Sequence, residues 1–262
     1  MLVIGVVLLA AGGGLLLGSM LARKKLAVLA GVDRRKAGEL QEVAKSVGGE
    51  IGGGSFREMV ELVGEITCAE PLESPLGKRA CVAYRTSVSR EYEEEYEETS
   101  SNGNRERRTR RGSEVVSSNE EEREFFLKDE SGQVAVVPAG ATFEPLVESV
   151  SRFEPAPAGG GSSISFGGFS FALGTTAGRR TLGFRYEERI MPVAVRVTIV
   201  GQVSDADGRL AVRKGGEQFI VTTRTKEEMV AAVKKRAALL LYCGVGGLVA
   251  GAGLAIAGLV AP

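Results

Sequence analysis

The residues of this chain that are able to do chemistry are three cysteines and many carboxylates, and histidine is absent. Without histidine, neither a Ser-His-Asp nor a Cys-His arrangement is available for nucleophilic catalysis, and a His-containing zinc site is excluded. Cys68, Cys81 and Cys243 form no Cys-x-x-Cys pair, and an all-cysteine zinc site needs four thiolates. We therefore predict no catalytic residue, no metal site and no cofactor.

Cys81 is the thiol that we consider as a nucleophile. It lies beside Val82 and Ala83 in an apolar segment, and an unpaired cysteine in such a strand usually packs as a small buried side chain. We favour that packing role. An enzyme that uses Cys81 or carboxylates for hydrolysis remains the alternative.

The carboxylates are densest in residues 90–98 (REYEEEYEE), and a basic run follows at residues 105–111 (RERRTRR). Asn102-Gly103 lies midway between the two runs, and Asn-Gly favours a two-residue hairpin loop. Such a loop places four glutamates opposite four arginines, in the pairs Glu98–Arg107, Glu97–Arg108, Glu95–Arg110 and Glu94–Arg111. Opposite charges across two strands contribute about 0.2 to 1 kcal/mol each. We therefore predict a long, self-neutralised hairpin over residues 90–124.

Two other interpretations of these charges stay open. A disordered charged loop is the simpler one. A basic run taken alone also suggests binding to nucleic acid or anionic lipid, but the neighbouring acidic run would neutralise it. The whole chain has 33 basic and 33 acidic residues, so its net charge is zero, and we predict no nucleic-acid partner.

Two nearly uncharged apolar runs, residues 2–22 and 237–261, bracket the rest of the chain. Each has about the 20 residues that a helix needs to cross a bilayer, so we predict an integral membrane protein with two spans. Residues 23–25 and 234–236 are all basic, and the positive-inside bias then places residues 23–236 in the cytoplasm and both termini outside. A cleaved signal peptide is the alternative for the first run, although its positive charge would precede the apolar stretch.

Small residues recur at four-residue spacing in both runs, among them Gly14 and Gly18 in the first and Gly247 and Gly251 in the second. Such spacing lets helix backbones approach closely. We predict that the spans pack on each other or on copies of themselves, which would make a homo-oligomer. Glycine is also common in membrane helices that make no such contact.

The residues between the runs alternate between a helical and a strand pattern. In residues 23–54, apolar residues at positions 37, 40, 43 and 47 predict an amphipathic helix that the glycines at 48–49 and 52–54 stop. Thr225 and Glu228 match a capping box, so one helix is expected to run over residues 225–262 into the second span. Residues 55–224 predict short strands, interrupted by a Gly/Ser/Pro-rich loop at 155–178. The strand segments are 59–68, 79–89, 125–128, 134–137, 183–187, 193–203, 209–213 and 219–223.

These patterns predict an α+β membrane protein in which two transmembrane helices bracket a β-rich soluble domain. Many short strands at this spacing favour a small barrel or sandwich, and an OB-like barrel is the preferred form. Val193, Val195, Val197 and Ile199 are expected on one face of a core strand. The phenylalanines of the 155–178 loop are expected in the domain core, with insertion at a membrane interface as the alternative.

Three groups of residues in order resemble the motifs of the GIDE family, also called the BAM domain. They are residues 63–85, with ESPLG after a Glu-Pro-Leu, residues 125–138 (FFLKDESGQVAVVP), and residues 186–203, which open with YEERIMP. The resemblance covers about residues 56–236. The motif residues that we single out are Pro71, Leu72, Ser74, Pro75, Leu76, Cys81, Tyr84, Arg85, Tyr186, Glu187, Pro192 and Gly201.

Members of that family include membrane-anchored E3 ubiquitin ligases with a zinc-binding RING after the second span. The resemblance implies a ligase-like protein, but the sequence ends at Pro262 without the Cys and His residues of a RING. The family's Pro-Gly-Asp or Pro-Gly-Glu turn is replaced by Pro192-Val-Ala. We therefore expect a module that binds the bilayer and a protein partner, without intrinsic catalysis. Ubiquitin-ligase activity and lipid or small-molecule sensing at the barrel mouth are the alternatives.

Overall fold

The structure is a computed structural model that describes residues 2–99, 105–156, 163–166, 169–172, 179–216 and 218–260. Its elements follow in chain order. They are α1 (Leu2–Gly31), β1 (Asp33–Arg34), α2 (Ala37–Ile51), β2 (Arg57–Thr67), β3 (Leu72–Glu73), β4 (Ala80–Thr99), β5 (Arg105–Glu122), β6 (Phe125–Lys128), β7 (Gln133–Val136), β8 (Thr142–Glu144), β9 (Val147–Pro155), β10 (Ser163–Phe166), β11 (Phe169–Ala172), β12 (Arg179–Pro192), β13 (Arg196–Ser204), β14 (Ala211–Arg213), β15 (Ile220–Thr222) and α3 (Lys226–Val260).

A ring of β2, β6, β7, β14 and β13 closes into a barrel. β2 pairs antiparallel with β6 on one side and with β13 on the other. β6 pairs with β7, and β14 closes the ring because it pairs with β7 in parallel and with β13 antiparallel. β1 adds to β2, while β15 and β8 follow β13. The α+β class with a β-rich barrel is therefore as the sequence predicted.

Strand β13 is buried on both faces, and this links the barrel to the long helices. Val197 and Ile199 point into the barrel core and are almost fully buried. Val200 lies on the opposite face, where it joins a second cluster with Leu29 of α1 and Met229 of α3. Successive strand side chains point to opposite faces, so β13 serves as the wall between the barrel interior and the helices.

Helix α2 begins at Ala37, as the spacing predicted, and packs Ala37 and Leu40 against the barrel. It does not stop at the first glycine pair but continues to Ile51. Glycine costs only about 1 kcal/mol inside a helix, so a pair near the end is tolerated. The helix ends at Gly52, whose φ of 107° lies outside the helical region.

Two predicted apolar stripes differ in detail from the structure. Val43 is 45% exposed, and Ala44 takes the buried place on that turn of α2, while Val47 packs against the core as predicted. Val193 and Val195 precede β13 and are only partly buried against the core.

The second sheet has the order β3-β4-β12-β9, with β5 paired to β4. β4 and β5 form the predicted long hairpin, but the charge pairs are shifted by one residue. Val88 faces Ser117 whereas Ser89 faces Val115, so Val116 is an extra residue in a β-bulge. The Asn102-Gly103 loop itself lies outside the described residues.

The bulge overturns the predicted pairing of Glu98, Glu97, Glu95 and Glu94 with Arg107, Arg108, Arg110 and Arg111. The observed partners are Glu97–Arg107, Tyr96–Arg108, Glu95–Thr109, Glu94–Arg110 and Glu93–Arg111, and Glu98 faces Glu106. The predicted register holds at the base of the hairpin, where Ala83 faces Glu122. One inserted residue changes every pair beyond it.

Helices α1 and α3 are long and apolar enough to cross a membrane, over Val3–Gly31 and Lys226–Gly258. Both continue past the apolar runs into charged segments. At the start of α3, Thr225 Oγ1 accepts a hydrogen bond from the Glu228 amide at 3.3 Å, and the Glu228 carboxylate accepts one from the Thr225 amide at 3.0 Å. This reciprocal pair is the predicted capping box.

The two helices pack antiparallel along a repeat of small residues. Gly5, Gly12 and Ser19 on α1 are buried at seven-residue spacing and meet α3 at positions 251–255, 244 and 237. Ser19 Oγ donates a hydrogen bond to the carbonyl oxygen of Ala237 at 3.1 Å. A seven-residue repeat keeps one seam of each helix facing the other.

The four glycines that were predicted from four-residue spacing differ in how closely they approach the other helix. A Cβ added to Gly251 would be 2.9 Å from Gly5 O, and one added to Gly247 would be 3.4 Å from the Gly12 Cα. For Gly18 the nearest atom is a Leu240 methyl carbon at 3.5 Å. Gly14 meets nothing within 4 Å, so it does not pack on α3. The predicted pair Gly247 and Gly251 therefore faces α1, whereas on α1 the seam is formed by Gly5, Gly12 and Ser19 and leaves out Gly14.

Strands β10 and β11 pair within the predicted 155–178 loop. The structure describes only their backbone there. The expected burial of the loop phenylalanines therefore lies outside the described side chains.

Candidate functional site

Cys81 lies on β4 and is fully buried among Leu72, Tyr84 and Ile190. Burial raises the pKa of its thiol to about 11, and the neighbouring carboxylates Glu188 and Glu121 add to this shift. A thiol with such a pKa is protonated at neutral pH and is a poor nucleophile. Within the described residues, no group of three or more Cys, Asp and Glu side chains could hold a metal ion.

Glu188 on β12 is a fully buried carboxylate that holds the turn after β3. Its Oε1 accepts hydrogen bonds from Ser74 Oγ at 2.8 Å and from the Gly77 amide at 3.0 Å, and its Oε2 accepts one from the Leu76 amide at 2.7 Å. Ser74 Oγ in turn accepts a hydrogen bond from the Arg79 amide at 3.1 Å. The Glu188 carboxylate thereby joins the first motif, residues 63–85, to the last one, residues 186–203.

Gly77 is required at this place for a steric reason. A Cβ added there would lie 2.7 Å from Glu188 Oε1 and 2.2 Å from Ser149 Oγ. Pro75 and Leu76 lie half-buried in the same turn, and Pro71 is exposed before it. The turn is therefore shaped to surround the carboxylate.

Sequence reasoning selected Tyr186 and Glu187 but missed Glu188. The signal was present: Tyr186, Glu188 and Ile190 alternate on β12, so the face that carries two buried residues also carries a carboxylate. A buried carboxylate requires partners. Glu187 points to the other face and is half-buried.

The remaining motif residues pack around the two sheets. Leu72 joins the cluster with Cys81, and the Tyr84 hydroxyl donates to Glu121 at 2.8 Å. Burial raises the pKa of Tyr84. Arg85 pairs with Glu120 at 3.1 Å on the surface. Tyr186 is fully buried and Pro192 is half-buried at the end of β12.

Gly201 on β13 lies where two side chains approach its backbone. A Cβ added there would be 2.9 Å from both Phe219 Cδ2 and Val212 Cγ1. The register with β2 runs through Gly201 without a bulge. Gly201 therefore lies where neighbouring side chains approach the backbone closely, and not in a bulge.

The acidic residues of β4 lie between arginines from two strands. Glu94 is bound by Arg110 of β5 at 2.8 Å and by Arg179 of β12 at 3.2 Å. These hydrogen bonds hold the pKa of Glu94 below its usual range. The next rung repeats the arrangement, since Arg111 and Arg180 lie 3.5 Å and 3.3 Å from Glu93. We call these rungs, Arg110–Glu94–Arg179 and Arg111–Glu93–Arg180, the arginine–glutamate ladder.

Aromatic rings cover glycines on either side of this ladder. A Cβ added to Gly112 would lie 2.6 Å from the Tyr92 ring, and one added to Gly183 would lie 2.5 Å from the Phe153 ring. The guanidinium group of Arg179 lies 4.7 Å from the centre of the Tyr92 ring, a distance suited to a cation–π contact. At the ladder the charged arm is therefore three-stranded, and β12 supplies cations that the hairpin pattern alone did not reveal.

The ladder leads to a prediction for charge reversal. Replacing Glu93 and Glu94 together by lysine places four arginines around two new cations, so amide exchange protection along β4, β5 and β12 beyond the bulge should fall. Hydrogen exchange followed by mass spectrometry measures it. Glu95→Lys is the matched control because Glu95 faces Thr109 and is exposed. Equal protection in the double variant and the control would show that the ladder does not order the arm.

The same contacts set the pH dependence of the arm. Because the folded-state pKa of Glu94 is lowered, its contribution is fully present above the ordinary glutamate pKa of about 4.3. It is lost as pH falls through the lowered folded-state value. Exchange protection of the ladder should therefore be constant near neutral pH and decline only in acid.

A polar groove of about 510 Å³ lies beside the start of α2 and is the nearest match to a barrel-mouth site. Two of its basic residues have carboxylate partners: Arg35 lies 2.9 Å from Glu58 and Lys36 lies 2.7 Å from Glu130. Arg34, Lys128 and Arg196 also line the groove, together with Glu65 and Asp129, so charges of both signs surround it.

The protein is of the α+β class. It has a closed β-barrel that carries a long charged arm and packs against a pair of apolar helices. The GIDE family model, described as E3 ubiquitin ligase, matches residues 93–256. The chain belongs to the GIDE family. The match begins within β4, so it contains the second and third motifs but not residues 63–85. No curated protein and no solved structure matches the chain.

Proposed function

We propose that this GIDE protein is a membrane-anchored module that binds a protein partner through its charged arm. The observation that carries the proposal is the continuous connection from helices to barrel to arm. Leu29 and Met229 join the helix pair to Val200 on β13, and β13 pairs with β2 along nine residues of register. Val82 and Ala83, at the start of the β4 strand that forms the arm, pack in the barrel core. An arm fixed in this way would be presented at a defined distance from the bilayer.

The barrel connectivity supports an OB-like assignment. The ring order β2-β6-β7-β14-β13 contains one parallel pair, β7 with β14, and is otherwise antiparallel. Five-stranded barrels of this type bind their ligands on strand faces and loops.

Helix length and charge support membrane insertion. Arg23 and Lys24 lie on α1, and Lys234, Lys235 and Arg236 lie on α3, at corresponding ends of the two apolar segments. The positive-inside bias places these ends, and the barrel with them, on the cytoplasmic side. Both termini would then face the other side.

The bulge provides the surface for a protein partner. Val115 is 65% exposed and Val116 is 39% exposed, and Val115 lies four residues along β5 from Arg111 of the arginine–glutamate ladder. Bulges often re-aim side chains at functional places, and adjacent apolar side chains among paired charges suit a protein interface better than a phosphate backbone. A protein partner is therefore favoured over nucleic acid.

Site-specific photo-crosslinking in native membranes tests this function. A photoreactive residue at Val115 should give a defined adduct, and the adduct should disappear when Val116 is also replaced by aspartate. The same probe at Val147, an exposed valine on β9 at the other edge of the sheet, is the control. No adduct at Val115, or the same adduct from both positions, would contradict the proposal.

Ubiquitin-ligase activity is the second candidate, and the description of the family model favours it. The purified chain, mixed with activating enzyme, conjugating enzymes, ubiquitin and ATP, gives the direct test. Ubiquitin conjugates that depend on the chain would establish the ligase function and overturn a purely binding role. The arm variants then show whether that activity uses the same surface.

A further inference from the structure

A cavity of about 480 Å³ lies where the two long helices meet the barrel. Helix α1 contributes Leu21 and Leu29, and α3 contributes Met229, Val233 and Leu240 to its apolar wall. The barrel closes one side with Ile220 and Thr222. The cavity therefore begins between the apolar helices and ends against a soluble domain.

Two cations line this cavity, one before Met229 and Val233 along the chain and one after them. Arg224, just before α3, and Arg236, on α3, both line it, and Glu144 of β8 is the carboxylate that also does so. Neither arginine forms an ion pair in the part of the chain that the structure describes, and both are exposed. Two guanidinium groups against one carboxylate leave a net positive charge beside an apolar wall.

The occupant must match both parts of this surface. An apolar chain suits the leucine-rich wall, and an oxyanion suits two arginines, which bind phosphate by paired hydrogen bonds. Arg236 lies at the end of the apolar segment of α3, which is the level of the lipid headgroups if the helices cross a bilayer. An anionic phospholipid has both features at that level.

We propose that this cavity binds one anionic phospholipid, with an acyl chain along the α1–α3 wall and the phosphate at Arg236, while Arg224 adds positive charge further along the cavity. The inference rests on the proposed membrane anchoring. It differs from general attraction of basic residues to an anionic surface, which is worth about 1 kcal/mol per residue wherever the residue lies. Lys234 and Lys235 supply that general charge without lining the cavity.

The test compares lipid retention by the full chain and by two charge-matched variants. Protein is reconstituted in vesicles of dioleoylphosphatidylcholine and dioleoylphosphatidylglycerol, released in mild detergent and examined by native mass spectrometry. The native chain should keep one phosphatidylglycerol in preference to phosphatidylcholine. The variant Arg224→Gln with Arg236→Gln should lose this preference by about tenfold or more, because two charge-assisted hydrogen bonds are removed. Lys234→Gln with Lys235→Gln should keep it.

A second variant tests the apolar part. Ala232→Phe adds a ring at the cavity wall and leaves both arginines, so it should also release the lipid. Soluble glycerol phosphate should not compete, because it lacks the acyl chain. If glycerol phosphate competes with phosphatidylglycerol and the Ala232→Phe variant still retains phosphatidylglycerol, the site binds free phosphate instead. This result would overturn the lipid proposal.

Flotation separates this proposal from the one on which it rests. If the native chain does not float with vesicles of phosphatidylcholine alone, membrane anchoring is wrong and the lipid site fails with it. If every variant floats but the arginine and lysine variants lose phosphatidylglycerol equally, only the cavity proposal is wrong. No preference for phosphatidylglycerol in the native chain would have the same meaning.

Discussion

Glu188→Ala should lower the free energy of unfolding of the β-domain by about 3 kcal/mol or more. The substitution removes the acceptor for three donors, Ser74 Oγ and the amides of Leu76 and Gly77. A buried donor without a partner costs about 1 to 3 kcal/mol, and partial exposure of the turn to water keeps the total near the lower end. Urea unfolding in detergent micelles, followed by near-ultraviolet circular dichroism, measures the loss.

The thiol of Cys81 reports on the same change. Burial is the main cause of its raised pKa, and Glu188 adds to it, so loss of Glu188 together with loosening of the turn should make Cys81 react faster with iodoacetamide. Glu187→Ala is the matched control, since it removes a carboxylate from the next position on the opposite face of β12. Similar unfolding midpoints and thiol rates in the two variants would mean that the carboxylate does not hold the turn.

Local sequence patterns were sufficient where one face of an element is buried. Alternating apolar residues located β2, β6 and β13 to within a few residues, because a buried strand face requires that alternation. Thr225 and Glu228 located the start of α3, because a helix terminus needs side-chain partners for its free amides. Each of these signals depends only on residues that are neighbours in sequence.

Long-range contacts explain what the sequence could not predict. The register beyond Val116 depends on a bulge that no turn motif marks. The partners of Glu93 and Glu94 include Arg179 and Arg180, which are about 85 residues away along the chain. Four-residue spacing located Gly247 and Gly251 on the seam of α3, but on α1 it selected Gly14, because four-residue and seven-residue repeats of small residues occur together in a glycine-rich sequence.

Gly12→Val should separate α1 from α3, because Gly12 lies on the seam between the two helices. The added Cβ would lie 2.9 Å from both Gly244 O and Leu248 N. These are backbone atoms of a helix, so they cannot move aside unless the whole of α3 moves. Overpacking a well-packed contact typically costs about 1 to 3 kcal/mol, and the absence of a flexible neighbour places this case toward the upper end.

Energy transfer between two dyes measures the separation. One dye is placed on Cys243 and the other on Leu17→Cys, both of which are exposed, in a chain where Cys68 is serine. Transfer should be lost at a lower mole fraction of dodecyl sulfate in Gly12→Val than in the parent chain. Gly251→Val should behave similarly, because its Cβ would lie 2.9 Å from Gly5 O.

Gly13→Val separates packing from helix propensity. It makes the same chemical change on the neighbouring residue of α1, where an added Cβ meets nothing within 4 Å. If close backbone approach stabilises the pair, Gly13→Val should match the parent chain while Gly12→Val does not. If both variants lose transfer at the same point, the helices associate without this seam. The barrel, which joins both helices through Leu29 and Met229, would then have to hold them together by itself.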